Sequence, residues 1–297
     1  MASGRRDGRA GLSLKPWTVT LARISWLKPH EQSIPPLTNR LAEEIRSTGR
    51  IIHPIIVDAG TGLVVDGTHR VEAAVKLGLK FLPAYLVDYN SDNVVLESWG
   101  RVVKKQADKR TVVQKALQAG FKISPAGMDV SEFAVKLVWP DGAITNLTLD
   151  EKNARKVYEA VSKLEHVLRE LEISYVVERD VAPAVAAGQY SMGYLVRKLS
   201  KNEVLSLVKS GVRLPPKSTR HIVDRRPLYV FFPLNVLYGE DAPAMFDEWI
   251  RAGNWVELPQ NLVLDRRYEE RVVVYFREDL RSLYPEKLLD LLKTVKA

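Results

Sequence analysis

The sequence predicts an α+β protein of more than one unit. Short apolar or alternating runs bounded by glycine and proline mark strands, and apolar residues at i, i+3 and i+4 mark helices interspersed among them. With 297 residues, 46% of them hydrophobic, the chain can bury a sizeable core and divides more naturally into two domains than one. Residues 1–16 read as a flexible basic arm carrying Arg5, Arg6 and Arg9, residues 17–105 as one compact unit, residues 106–226 as a second, and residues 227–297 as an appended C-terminal element.

Each element has a local reason. Trp17 to Leu21 alternates as a strand does, and Lys28 to Pro36 is a proline-rich loop. Leu37, Leu41 and Ile45 then share a helix face until Gly49 ends it. Ile51 to Val57 and Leu63 to Val65 are strands around the turn-forming Asp58-Ala-Gly-Thr-Gly62. The second of them breaks into a helix that carries Val71, Ala74 and Val75 on one face and stops at Gly78; Ala84 to Tyr89 is the next strand.

In the second unit a helix near Thr111 to Ala119 stops at Gly120. Phe133, Val135, Leu137 and Trp139 alternate, and Pro140-Asp-Gly142 turns the chain into Ala143 to Leu149, a hairpin signature. Val157, Val161, Leu164, Leu168 and Leu171 line one face of a long amphipathic helix, with His166 on its flank. Ser200-Lys-Asn-Glu203 is a capping box opening the helix Lys201 to Ser210, and Pro215 and Pro216 hold the following loop extended. Further on, Leu228 to Phe232 and Val272 to Phe276 read as strands and Lys287 to Val295 as a helix.

The chain has no cysteine, which excludes disulfides, thiolate metal sites and a catalytic thiol. Its net charge of +8 suits nucleic acid and equally suits an enzyme of phosphorylated substrates. No apolar run approaches the roughly 20 residues that span a bilayer, and no signal-type apolar segment follows the basic start, so a cytoplasmic location without membrane partners is expected.

The junction Leu63-Val-Val-Asp-Gly-Thr-His-Arg70 is the most informative segment. A helix N-terminus offers unpaired N–H groups and the positive end of the macrodipole, so the turn at Asp66, Gly67 and Thr68 suits phosphate, with His69 and Arg70 as further donors. Asp66 and Gly67 equally suit a plain capped turn. Two more polar clusters, Pro29-His-Glu-Gln32 and Pro216-Lys-Ser-Thr-Arg-His221, point to one shared site. The second follows Gly211 at near-Walker spacing but is no Walker loop, because it follows a helix and has proline in place of the second glycine. Lys217, Thr219, Arg220 and His221 remain side-chain donors for phosphate. A carboxylate such as Glu31, set near an alcohol, would accept its proton in phosphoryl transfer.

Taken together, Lys28-Pro-His-Glu-Gln32, Val65-Asp-Gly-Thr-His-Arg70 and Pro216-Lys-Ser-Thr-Arg-His221 resemble, in this order, the motifs of the archaeal free serine kinases of the ParB/sulfiredoxin superfamily. The resemblance takes in Asp88-Tyr89, Ser91-Asp92 and Trp99 and runs from about residue 20 to 225. It implies a ParB/sulfiredoxin-like N-terminal domain and transfer of the terminal phosphate of ADP or ATP to free L-serine, with magnesium or a similar divalent cation whose ligands the sequence leaves unassigned. By the same resemblance Glu31 is the general base and Asp66 a second catalytic residue. Gly67, Thr68, His69, Arg70, Lys217, Thr219, Arg220 and His221 hold the nucleotide, while Trp99 and His30 lie by the serine. Thr68 stands where the family has a histidine. Sulfiredoxin chemistry needs a cysteine and is excluded. A ParB-like, nucleotide-dependent DNA-binding protein is the alternative, but no helix-turn-helix follows residue 105, and no specific nucleic-acid partner is expected.

Overall fold

The computed structural model describes residues 19–124, 133–151 and 153–296. The basic arm, with Trp17 and Thr18, lies outside them. The first unit is a five-stranded mixed sheet in the order Val19–Arg23, Phe81–Val87, Ile55–Asp58, Leu63–Asp66, Lys28–Pro29. Alternation along these strands sends Ile55, Val57 and Val64 to one face, where they pack on Ala42, Ile45, Val71 and Ala74 of helices Pro35–Thr48 and Thr68–Leu77. Ile56, Leu63 and Val65 face the other way, into the core of the second unit. This sheet is therefore covered on both sides, which explains why its strands read as continuous apolar runs.

The second unit is an antiparallel six-stranded sheet in the order Ile173–Val177, Trp99–Val103, Met192–Val196, Val135–Val138, Ile144–Thr148, Lys122–Ile123. Helix Ala154–Val167 lays Val157, Val161 and Leu164 into the core, and its His166 is exposed. Trp99–Val103 belongs to this sheet, although the sequence divides the units after residue 105. The reason is lateral: its hydrogen-bonding partners lie some 70 to 90 residues onward, beyond any local signal.

The C-terminal segment is woven in rather than appended. Arg226–Leu228 pairs in parallel with Val272–Phe276, while Phe232–Pro233 pairs with Arg50–Ile51 and brings Phe232, Leu234, Leu237 and Phe246 into the first unit's core. The strand expected over Leu228 to Phe232 is broken in the middle. Tyr229 and Phe231 adopt φ of 62° and 44°, turning the chain out of one sheet and into another, a conformation that costs on the order of 1–3 kcal/mol per residue and needs surrounding packing to hold it. Both aromatic rings are buried against Tyr284.

Candidate functional site

Backbone hydrogen bonds bring the three polar clusters together. Lys28–Pro29 runs parallel to Leu63–Asp66. The chain then zips onto the distal loop: Leu214 N donates to His30 O and Gln32 N to Leu214 O, each at 2.8 Å. The loop continues into strand Arg220–Val223, paired with Val94–Glu97. Between these segments lies a cavity of about 810 Å³, with Glu31, Thr68, His69, Trp99, Lys217 and Arg266 among its lining.

Glu31 is held by the distal loop. Its Oε1 accepts from Thr219 N at 2.7 Å and from Thr219 Oγ1 at 2.6 Å, and its Oε2 accepts from Lys217 N at 3.1 Å. A carboxylate has about four acceptor positions, so one remains for an incoming hydroxyl. Lys217 pays for its place with a left-handed backbone, φ 64°, while its carbonyl is fixed by Arg101 Nη2 at 3.1 Å. Arg101 is 1% exposed and paired with Glu165 at 2.9 Å, so it braces the loop from beneath.

The anion-facing groups are fewer than the sequence suggests. Helix Thr68–Leu77 starts after Gly67, whose φ of 107° is left-handed; a Cβ there would lie 2.6 Å from Ile55 Cγ2. The first helical bond is Val71 N to Gly67 O, which leaves the N–H groups of Thr68, His69 and Arg70 ahead of it. Among the described residues Lys217 and Arg266 have no carboxylate at ion-pair distance; the Lys217 ammonium lies 4.6 Å from the Trp99 ring centre and the Arg266 guanidinium 4.5 Å from that of Tyr268.

Other expected donors are already engaged. Arg70 donates to His53 O at 3.2 Å, Pro54 O at 2.8 Å and Asp66 at 3.1 Å. Arg220 pairs with Glu97 and, at 3.1 Å, with Glu269, which also holds Arg179 at 2.7 Å. Asp66 bonds Arg226, which reaches Glu270 at 2.6 Å. Burial alone would raise the Asp66 carboxyl, but Arg226, Arg70 and Arg266 hold it well below the ordinary carboxylate range. Asp66, paired with Arg70 and Arg226, thereby links the phosphate turn to the C-terminal segment.

Histidines expected to touch ligands are largely interior. His30 is 3% exposed; its Nδ1 lies 2.9 Å from Val64 O and its Nε2 2.7 Å from Thr219 Oγ1, leaving no ring nitrogen for serine. His221 Nε2 lies 2.9 Å from the Tyr89 hydroxyl oxygen, within hydrogen-bond distance. Burial lowers both imidazoles, partly offset at His30 by Glu31 and reinforced at His221 by His30. His69 Nε2 accepts from Ile34 N at 3.1 Å, tying the phosphate turn to the start of helix Pro35–Thr48; burial, then Lys217, lowers its pKa.

Sequence reasoning missed Arg101, Arg226, Arg266 and Glu269. Arg101, Arg226 and Glu269 act through partners tens of residues away or more, and Arg266 lines the cavity beside Tyr268, with no spacing motif to mark any of them.

No family model matches the chain. It is 30% identical over 230 residues to an ATP-dependent L-serine kinase of Staphylothermus marinus, spanning 73% of this chain and 90% of that protein. It is 28% identical over 223 residues to the ADP-dependent L-serine kinase SerK of Thermococcus kodakarensis, with 71% and 90% covered. A solved free serine kinase in complex with AMP superposes with a TM-score of 0.62 at 26% identity, over 74% of this chain and 93% of that one. With its three motifs joined around one cavity and 90% of a curated relative matched, the chain belongs to the free L-serine kinase family.

Proposed function

We propose that this protein transfers the terminal phosphate of a nucleoside diphosphate or triphosphate, ADP or ATP, to the hydroxyl of free L-serine, giving O-phospho-L-serine. The observation that carries the reading is Glu31: a carboxylate oriented by the distal loop, with acceptor capacity to spare, on a cavity that a helix N-terminus and Lys217 also line. Glu31 takes the serine proton as the oxygen attacks phosphorus. The N–H groups of Thr68 and His69 and the Lys217 ammonium meet the charge on the transferred phosphoryl group, so positioning and charge stabilisation supply most of the catalysis. Trp99 backs Lys217 through a cation–π contact, keeping the ammonium at the cavity wall. Gly67 lets the backbone approach an anion closely.

Relatives named as ATP-dependent and as ADP-dependent leave the donor open. Among the described residues no group of three or more His, Asp and Glu is arranged to hold a metal ion, and Asp66 is committed to arginines. A magnesium ion would arrive with the nucleotide and supply charge neutralisation to its phosphates. Among the described residues no helix is long and apolar enough to cross a membrane, and a cytoplasmic setting fits the reading.

The test is incubation of purified protein with L-serine, magnesium and either ADP or ATP, with phosphoserine followed by mass spectrometry. Phosphoserine with one donor is expected. Its absence with both, together with tight sequence-selective binding of duplex DNA, would favour a ParB-like role instead.

A further inference from the structure

Beneath the cavity, His30, Thr219 and Glu31 form a continuous chain of short contacts. His30 Nδ1 lies 2.9 Å from the Val64 carbonyl, His30 Nε2 2.7 Å from Thr219 Oγ1, and Thr219 Oγ1 2.6 Å from Glu31 Oε1. Counting protons along it is decisive. The Val64 carbonyl can only accept, so Nδ1 carries a proton. The remaining two contacts each need a proton between their heavy atoms, yet Thr219 has one hydroxyl hydrogen. A neutral imidazole, a hydroxyl and a carboxylate are thus one proton short of satisfying the chain.

That missing proton matches the one serine gives up. From this geometry we infer that Thr219 and His30 form a proton relay behind Glu31, storing the proton taken from the acceptor hydroxyl during transfer. This rests on the phosphotransfer reading above. The serine O–H bond breaks as its oxygen bonds to phosphorus and the bond from phosphorus to the nucleotide's bridging oxygen breaks, its electron pair leaving with the shortened nucleotide. The proton reaches Glu31, the Thr219 hydroxyl turns from Glu31 to give its own proton to His30 Nε2, and Glu31 passes its proton to the vacated Thr219 Oγ1. Glu31 returns to a carboxylate, His30 becomes an imidazolium, and every contact in the chain now holds a proton. Once product leaves, the chain runs in reverse and releases the proton at Glu31. Thr219 and His30 act through Glu31, as positioning residues rather than groups that touch substrate.

The surroundings favour a neutral imidazole at rest and a charged one in passing. The titratable groups facing the His30 ring are Glu31, on its own segment at 3.9 Å, and His221 of strand Arg220–Val223, whose ring is edge-on at 5.3 Å and whose Nε2 is occupied by Tyr89. Burial keeps the resting ring uncharged, and the adjacent carboxylate offsets part of that penalty when the proton arrives.

Two measurements test the relay. The first is a ¹⁵N NMR titration of His30, which needs no turnover. Neutral His30 should carry its proton on Nδ1, and Glu31→Gln should lower its titration midpoint; a proton on Nε2 instead, or an unmoved midpoint, would overturn the relay. The second is the single-turnover rate of phosphoserine formation. Thr219→Val keeps the backbone N–H that orients Glu31 but deletes the hydroxyl, and should lose roughly 10–100-fold with nucleotide affinity unchanged. Thr219→Ser should stay within a few-fold of wild type. A wild-type rate in Thr219→Val would refute the inference, as would equal losses in both variants. If wild type makes no phosphoserine, the functional reading fails while the NMR arm still decides whether His30 and Glu31 share a proton.

Discussion

Replacing Lys217 by glycine should weaken nucleotide binding without destabilising the protein. Lys217 is at φ 64° and lines the cavity, its ammonium without a carboxylate partner among the described residues. A left-handed backbone costs a non-glycine residue about 1–2 kcal/mol, and glycine gives back about 0.5–1 kcal/mol through its freer unfolded chain. Stability should therefore stay level or rise by about 1 kcal/mol. A charge-assisted hydrogen bond to phosphate contributes about 1.5–3 kcal/mol, which is roughly 10–150-fold in Kd. Lys217→Asn, also tolerant of this backbone, should behave alike and controls for loop flexibility. Calorimetric titration with ADP and ATP, beside thermal unfolding, reads both quantities. Unchanged affinity in both variants, or destabilisation beyond about 1 kcal/mol, would refute the view that strain at Lys217 is maintained for anion contact.

Other substitutions separate chemistry from framework. Glu31→Gln should bind nucleotide normally and lose most phosphorylation, because the amide keeps size but cannot accept the proton; near-normal turnover would remove Glu31 as the base. Arg226→Met should cost about 3–5 kcal/mol by leaving the buried Glu270 carboxylate without its arginine and Asp66 with Arg70 alone, read as a fall in the chemical-denaturation midpoint; a loss under 1 kcal/mol would contradict the weld between the C-terminal segment and the phosphate turn. Acid should destabilise the protein as pH falls from about 6.5 toward 4, because burial, then Arg70, lowers His53 to about 4 while the unfolded chain takes up the proton earlier. The contribution of His53 is present above the unfolded value and fades toward the folded one, on the order of 3 kcal/mol in all. His53→Asn, which can still accept from Tyr229 N, should flatten that part of the pH–stability profile; an unchanged slope would show that other groups carry it.

Much of the scaffold was legible because its signals are local. The Ser200–Glu203 capping box forms, Gly49 closes helix Pro35–Thr48 in the left-handed conformation, and the turn at Pro140 to Gly142 yields the hairpin. Three short motifs foretold a shared cavity, since chemically related clusters in separate segments have little other reason to recur. What each side chain does there was less legible. Charge is visible in sequence, but partners are not. Arg70 and Arg220 look like phosphate donors until Asp66, Glu97, Glu269 and the carbonyls of His53 and Pro54 are seen to occupy them. Arg226 meets Asp66 across 160 residues, a juxtaposition only the folded chain creates. His30 carries a motif imidazole that reads as a ligand, yet it is buried beneath the site because its neighbours pair with strand Leu63–Asp66 and with Leu214.

The most direct test of the central claim is ³¹P NMR of one reaction holding protein, L-serine, magnesium and nucleotide, run beside the Glu31→Gln variant. Transfer predicts that phosphoserine and the shortened nucleotide grow together in wild type, with little free phosphate, and that neither grows appreciably in the variant. Free phosphate without phosphoserine, or equal phosphoserine from both proteins, would contradict a serine kinase whose base is Glu31.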